Sequence, residues 1–150
     1  MRSIPDPKTS NTMVLFRPMD HARRLSKSAK FLGYEISPEY IYETICTFLQ
    51  KNKPTKPIYM RPLVYTSDLD ISPRLHDIEK DFLLYGIELG DYLSSEGVSC
   101  CFSSWTRQAD VSFPLRGKIT GGYITSALTK TEAKNRGFDE AIMMNHQGKV

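Results

Sequence analysis

Arg116-Gly117-Lys118-Ile119-Thr120-Gly121-Gly122-Tyr123 stands where a loop gives way to a helix, and the reading of this junction decides how the last third of the chain folds. Apolar or small residues recur at Ile119, Ile124, Ala127, Leu128 and Ala133, which is helical spacing, and Gly137 marks the stop. Phe138 to Asn145 then reads as a strand, followed at His146-Gln147-Gly148 by a turn that begins a hairpin. Upstream of the junction, Val98 to Trp105 reads as a further strand and Thr106 to Gly117 as a loop.

Working outward, Met1 to Thr12 is rich in Pro, Ser, Thr and Asn without periodicity, which predicts a loop or frayed end, and Met13 to Phe16 is a short strand. Ala22, Leu25, Ala29 and Leu32 form one face of a helix over Asp20 to Leu32 that Gly33 ends. Ser37-Pro38 is a helix start, because a serine oxygen can accept from orphan amides and a proline ring fits the first turn. Ile41, Ile45, Phe48 and Leu49 make the buried face of that second helix, which stops near Asn52, before Pro54. Ile58 to Thr66 is a strand whose two-residue period puts Tyr59 and Arg61 on one face. Leu69 to Lys80 is a long irregular loop, and Phe82 to Leu89 is another strand.

The glycine-bounded segment from Gly90 to Gly97 predicts a crossover between layers and a domain boundary. The expected division is a small N-terminal α/β domain over residues 1–92 and the beginning of a larger domain over residues 93–150. Strands and helices mix without regular alternation, so the fold class is α+β, not a doubly wound sheet.

With 40% hydrophobic residues the chain can bury a core. Its net charge of +3, from 20 basic and 17 acidic residues interspersed along the sequence, disfavours nucleic acid as a partner. Cys46, Cys100 and Cys101 lack metal-ligand spacing and fit a reducing, cytoplasmic compartment. No run approaches the roughly eighteen apolar residues of a membrane span, and no secretion signal opens the chain.

Three segments carry a resemblance that reaches further. His21-Ala22-Arg23-Arg24-Leu25, Tyr59-Met60-Arg61-Pro62-Leu63 and Arg116 to Tyr123, in this order and spacing, resemble the class IV (fold type IV) pyridoxal-phosphate aminotransferases. Ser103-Ser104-Trp105-Thr106-Arg107 and Gly137-Phe138-Asp139-Glu140-Ala141 bring the resemblance closest to the branched-chain amino acid group. It implies that Lys118 is the catalytic lysine, since a primary amine condenses reversibly with the aldehyde of pyridoxal 5'-phosphate and can also move a proton as acid and base. It implies that Arg24 grips the cofactor phosphate with a planar, permanently charged donor, and that Tyr123 bonds the cofactor's phenolic oxygen. Arg23 does not inherit that role. Gly121 and Gly122 would open room for a ligand to approach the backbone. Tyr59 and Arg61 correspond to the substrate-binding pair, with branched-chain amino acids and 2-oxo acids as the expected partners, and a homo-oligomer is implied.

Without the resemblance each of these residues has a plainer reading: a solvated lysine, a solvent-facing helix arginine, a core tyrosine, a half-buried sheet face. The resemblance also implies missing parts. The acidic residue paired with the pyridine nitrogen lies beyond Val150, and Met1-Arg2-Ser3 resembles the tail of a Phe-Glu-Gly-(Ile or Met)-Arg motif, so a chain cut at both edges is expected. The alternatives are an inactive truncated product or pseudoenzyme, or a sister activity such as D-amino acid aminotransferase or aminodeoxychorismate lyase. Tyr59-Met60-Arg61 and Ser103-Ser104-Trp105 favour the branched-chain group over the sister activities.

Overall fold

Residues 1–9, 12–90 and 96–150 are described by the computed structural model. The chain divides into two compact units, Met1–Gly90 and Asp91–Val150.

The first unit is a four-stranded antiparallel sheet with two helices. Its strands are β1 (Arg2–Pro5), β2 (Met13–Leu15), β3 (Ile58–Thr66) and β4 (Lys80–Glu88), in the order β2-β1-β3-β4. The loop expected over Met1 to Thr12 is therefore corrected at residues 2–5. Its own composition gives β1 no strand signal, but it is paired on both sides, Ser3 opposite Leu15 of β2 and opposite Ile58 of β3. Tertiary pairing overrides weak local propensity here.

Helix α1 (Pro18–Ala29) continues into a short 3-10 turn, Lys30–Leu32, and stops at Gly33, whose φ of 65° is left-handed. Helix α2 (Pro38–Asn52) begins as its sequence predicts, with Ser37 Oγ accepting from Tyr40 N at 3.0 Å and Pro38 in the first turn. The core joins these helices to one face of β3: Ala22, Ala29, Ile36, Ile41, Ile45 and Met60 are buried together. Alanines on α1 leave the room that Ile41, Ile45 and Met60 fill. Alternation along β3 buries Ile58 and Met60 and turns Tyr59 and Arg61 to the opposite face.

The second unit is smaller. Strands β5 (Cys100–Phe102) and β6 (Glu140–Ile142) pair in parallel, Cys101 opposite Ala141, with helix α3 (Tyr123–Asn135) between them in sequence. Both strands are shorter than the sequence predicts. Beyond Phe102 the side chain of Ser103 accepts from Trp105 N at 3.0 Å, and that turn takes the backbone out of the regular ladder. Helix α3 buries Thr129 and Ala133, whereas Ile124 and Leu128 are exposed. No helix among the described residues is long and apolar enough to cross a membrane.

Ser3 is fully buried, and its Oγ has no hydrogen-bond partner among the described residues. A buried unpaired hydroxyl costs free energy that an alanine avoids. Ser3→Ala is thus expected to leave the urea midpoint unchanged or raise it. Ile45→Ala, which empties a fully buried site, should cost about 2–5 kcal/mol. A loss above about 1 kcal/mol for Ser3→Ala would show that the hydroxyl is satisfied after all.

Candidate active site

In the second unit, the loop from Thr106 to Gly117 delivers Lys118 to a 3-10 turn, Thr120–Gly122, that runs directly into α3. Asp110 holds the loop: its carboxylate accepts from Leu115 N at 3.1 Å and pairs with Arg116 Nε at 3.5 Å. Ala109 O accepts from Ser112 N and Phe113 N, and Pro114 O from Gly117 N, so the loop is a series of closed turns. Lys118 and Tyr123 emerge at its end, both exposed, with the lysine Nζ donating to the tyrosine Oη. Nζ lies 4.9 Å from the ring centroid, the position of a group bonded at the hydroxyl edge and not of a cation above the ring face. Tyr123 is 49% exposed.

The sequence singled out Gly121 and Gly122 as room for a ligand. At Gly122 the ring of Phe113 stands in that room. A Cβ built on Gly122 would stand 2.7 Å from Phe113 Cε1 and 3.2 Å from Cζ, whereas one on Gly121 would stand an ordinary 3.6 Å from Cε2.

Glu132 of α3 was not singled out from the sequence, yet it ties the helix to the end of β5. Its carboxylate accepts from Ser103 Oγ at 2.6 Å and from Ser104 N at 3.0 Å, and Arg136 beside it donates to Phe102 O at 2.8 Å. Nothing in the spacing of residues 103 and 132 announces this bond. These hydrogen bonds, that from Ser103 first, hold the Glu132 carboxyl below the usual glutamate value.

In the first unit, Arg24 lies exposed on α1 with Nη2 3.4 Å from His21 Nδ1. Arg23 instead pairs with Asp20 at 3.7 Å. Tyr59 and Arg61 share the outer face of β3, the guanidinium carbon 5.7 Å from the Tyr59 ring centroid. Arg61 also donates to Tyr85 Oη at 3.4 Å, a partner the β3–β4 register places directly opposite it. The two tyrosines, Tyr59 first, raise the guanidinium pKa further, so Arg61 stays cationic at any working pH. Tyr85 escaped the sequence reading because an irregular loop between the strands leaves the register open. Among the described residues no His, Cys, Asp or Glu cluster suits a metal ion.

Because the Glu132 pKa is lowered by folding, its stabilising contribution is complete above the ordinary glutamate value of about 4.3 and is lost as pH falls through the lowered value. Glu132→Gln should therefore flatten the acid limb of the stability profile and leave a shallower dependence below about pH 4.3. An unchanged acid limb, measured by urea unfolding at stepped pH, would contradict the network.

The amino-transferase class IV family model matches residues 8–150. A probable branched-chain-amino-acid aminotransferase of Synechocystis sp. is 64% identical over 150 residues, covering 100% of this chain and 49% of that protein. Among solved structures, the branched-chain aminotransferase from the thermophilic archaeon Thermoproteus uzoniensis with norvaline has a TM-score of 0.91 at 32% identity, covering 98% of this chain and 49% of that one. The branched-chain amino acid aminotransferase from Thermobaculum terrenum in its PLP-form has a TM-score of 0.89 at 27% identity, covering 98% of this chain and 48% of that one. The chain spans about half the length of the curated relatives it matches. With the family model matched over nearly all of its residues, and the fold shared with these solved structures, the chain belongs to the class IV aminotransferases.

Proposed function

We propose that the protein carrying this chain transfers amino groups reversibly between branched-chain amino acids and 2-oxoglutarate, using pyridoxal 5'-phosphate held at Lys118. The observation that carries the reading is the pairing of the Lys118 amine with the Tyr123 hydroxyl on an exposed turn. An accessible primary amine beside a phenol suits an aldehyde that neighbours a ring oxygen, which is the arrangement of this cofactor's reactive edge. When bound, pyridoxal phosphate supplies an aldehyde for amine capture and a ring that withdraws electrons.

The chain's own residues do the rest. Lys118 would hold the cofactor, and its amine, once freed, would move the proton between the substrate α-carbon and the cofactor carbon that bore the aldehyde. Tyr123 orients the amine and donates to the ring oxygen. Arg24 binds the phosphate, and its imidazole neighbour, unlike a carboxylate, leaves its positive charge uncompensated for an anion. Tyr59 and Arg61 orient the substrate, the cation attracting a second carboxylate where the substrate has one. Residues 1–92 act as the small domain and residues 93–150 as the beginning of the cofactor domain. The choice of branched-chain substrates over the sister activities rests on the names of the relatives, 64% identity over the whole chain foremost. We place the protein in the cytoplasm as a homo-oligomer, a compartment that suits three free cysteines.

Incubation with pyridoxal phosphate followed by borohydride is expected to leave a stable adduct that peptide mass mapping locates on Lys118, and Lys118→Ala should abolish it. An adduct on another lysine would reassign the site. Arg24→Ala is expected to weaken cofactor binding by about 1.5–3 kcal/mol, the range for a hydrogen bond to a charged group. Arg23→Ala, which loses only an exposed ion pair with Asp20, should change it by less than about 1 kcal/mol. Equal losses in a titration of the two variants would mean general basicity and not a phosphate clamp.

A further inference from the structure

We propose that Phe113 is a positioning residue for the catalytic pair, its ring serving as the wedge that sets the turn between Lys118 and Tyr123. Two glycines stand in that turn, and their backbone does not need them. Gly122 has φ −69° and ψ −13°, ordinary right-handed values that any residue adopts, and neither Gly121 nor Gly122 is among the glycines of positive φ. What Gly122 lacks is space. With Phe113 Cε1, Cζ and Cδ1 at 2.7, 3.2 and 3.3 Å from the Cβ position, a side chain there would have to displace the ring or the turn. The glycine is thus the socket of Phe113.

The backbone that carries Phe113 is held. Its amide donates to Ala109 O at 3.1 Å, and Leu115 N donates to Asp110 at 3.1 Å, so the two ends of its loop segment are tied together. The socket lies within the six-residue stretch whose ends are Lys118 and Tyr123, and Ile119 O accepts from Gly122 N at 3.2 Å inside it. A shift of the socket moves the Tyr123 hydroxyl relative to the Lys118 amine. Misplacement by about 1 Å suffices to cost on the order of 100-fold in a reaction that depends on alignment.

This assigns Phe113 no contact with substrate or cofactor. Its consequence for chemistry rests on the proposed role of Lys118, but the geometric claim does not. The test therefore has two readouts. The first is the cross-relaxation between the N-methyl protons of 13C-dimethylated Lys118 and the Tyr123 ring, which reports the pair without any cofactor. The second is the rate at which pyridoxal phosphate becomes fixed to Lys118 under borohydride.

Gly122→Ala and Phe113→Ala are each expected to abolish the cross-peak and slow fixation by roughly 10- to 100-fold, with the helical circular dichroism retained. Gly121→Ala, whose new methyl meets the ring at an ordinary 3.6 Å, should leave the cross-peak in place. Phe113→Leu in the Gly122→Ala background trades ring volume for the added methyl and should restore part of both signals. A cross-peak that survives Phe113→Ala overturns the proposal. So does loss of fold in the single variants that Phe113→Leu fails to relieve, because the wedge would then be merely structural. If the unchanged chain shows the cross-peak but forms no adduct on Lys118, the cofactor reading fails while the cross-peak series still decides the role of Phe113.

Discussion

Carboxylate hydrogen bonds hold the second unit together, Asp139 gripping Ser99 before β5 and Glu132 gripping Ser103 and Ser104 after it. The unit buries little apolar surface, with Cys101 and Ala133 its only buried hydrophobic residues among those described, and its sheet is two short strands. Such a pair is marginal without something packed against it. Glu132 supplies one such tie by accepting from Ser103 Oγ and Ser104 N at the end of β5, while Arg136 one turn on bonds Phe102 O. Charge-assisted hydrogen bonds are stronger than neutral ones, and here they fall where the chain leaves the ladder and enters the loop toward Lys118. The same bonds that hold the unit also fix the start of the loop.

The first unit solves the opposite problem by ordinary means. An apolar face of β3 meets α1 and α2, and the two-residue period of a strand then leaves Tyr59 and Arg61 on the outer face. The buried face and the candidate substrate face are thereby separated along a single strand. Met60, fully buried, lies between two residues that the family resemblance assigns to substrate, so packing on one side sets the aim of the other. Across the hairpin, Tyr85 adds a hydroxyl to Arg61 and narrows the directions its guanidinium can take.

What the sequence showed and what it hid follow from the same physics. Local signals were legible: Ser37-Pro38 starts α2 where the cap requires it, Gly33 stops the preceding turn, and β3 has the bounds its β-branched and aromatic run implied. Pairing over long distances was not. Strand β1 exists because two partners flank it, and Glu132 meets Ser103 across 29 residues, neither of which leaves a local trace. At Gly122 the missing side chain admits a ring from nine residues upstream, and only the folded loop reveals that this group comes close.

Arg23 and Arg24 show how neighbouring, chemically identical residues acquire different prospects. On a helix, consecutive side chains point about 100° apart, so each meets a different partner one turn back. Arg23 faces Asp20, a carboxylate that Arg17 also engages, and Arg24 faces His21. To accept from the guanidinium His21 must be neutral, with the proton on Nε2 and the lone pair on Nδ1. Burial, and then the positive charges around it, Arg24 among them, lower the imidazole pKa and favour that form. Folding thus holds His21 neutral, an advantage complete above the ordinary histidine value of about 6.5 and lost as pH falls from there through the lowered value. At neutral pH the side chain beside Arg24 is therefore a neutral imidazole, whereas the one beside Arg23 is a carboxylate.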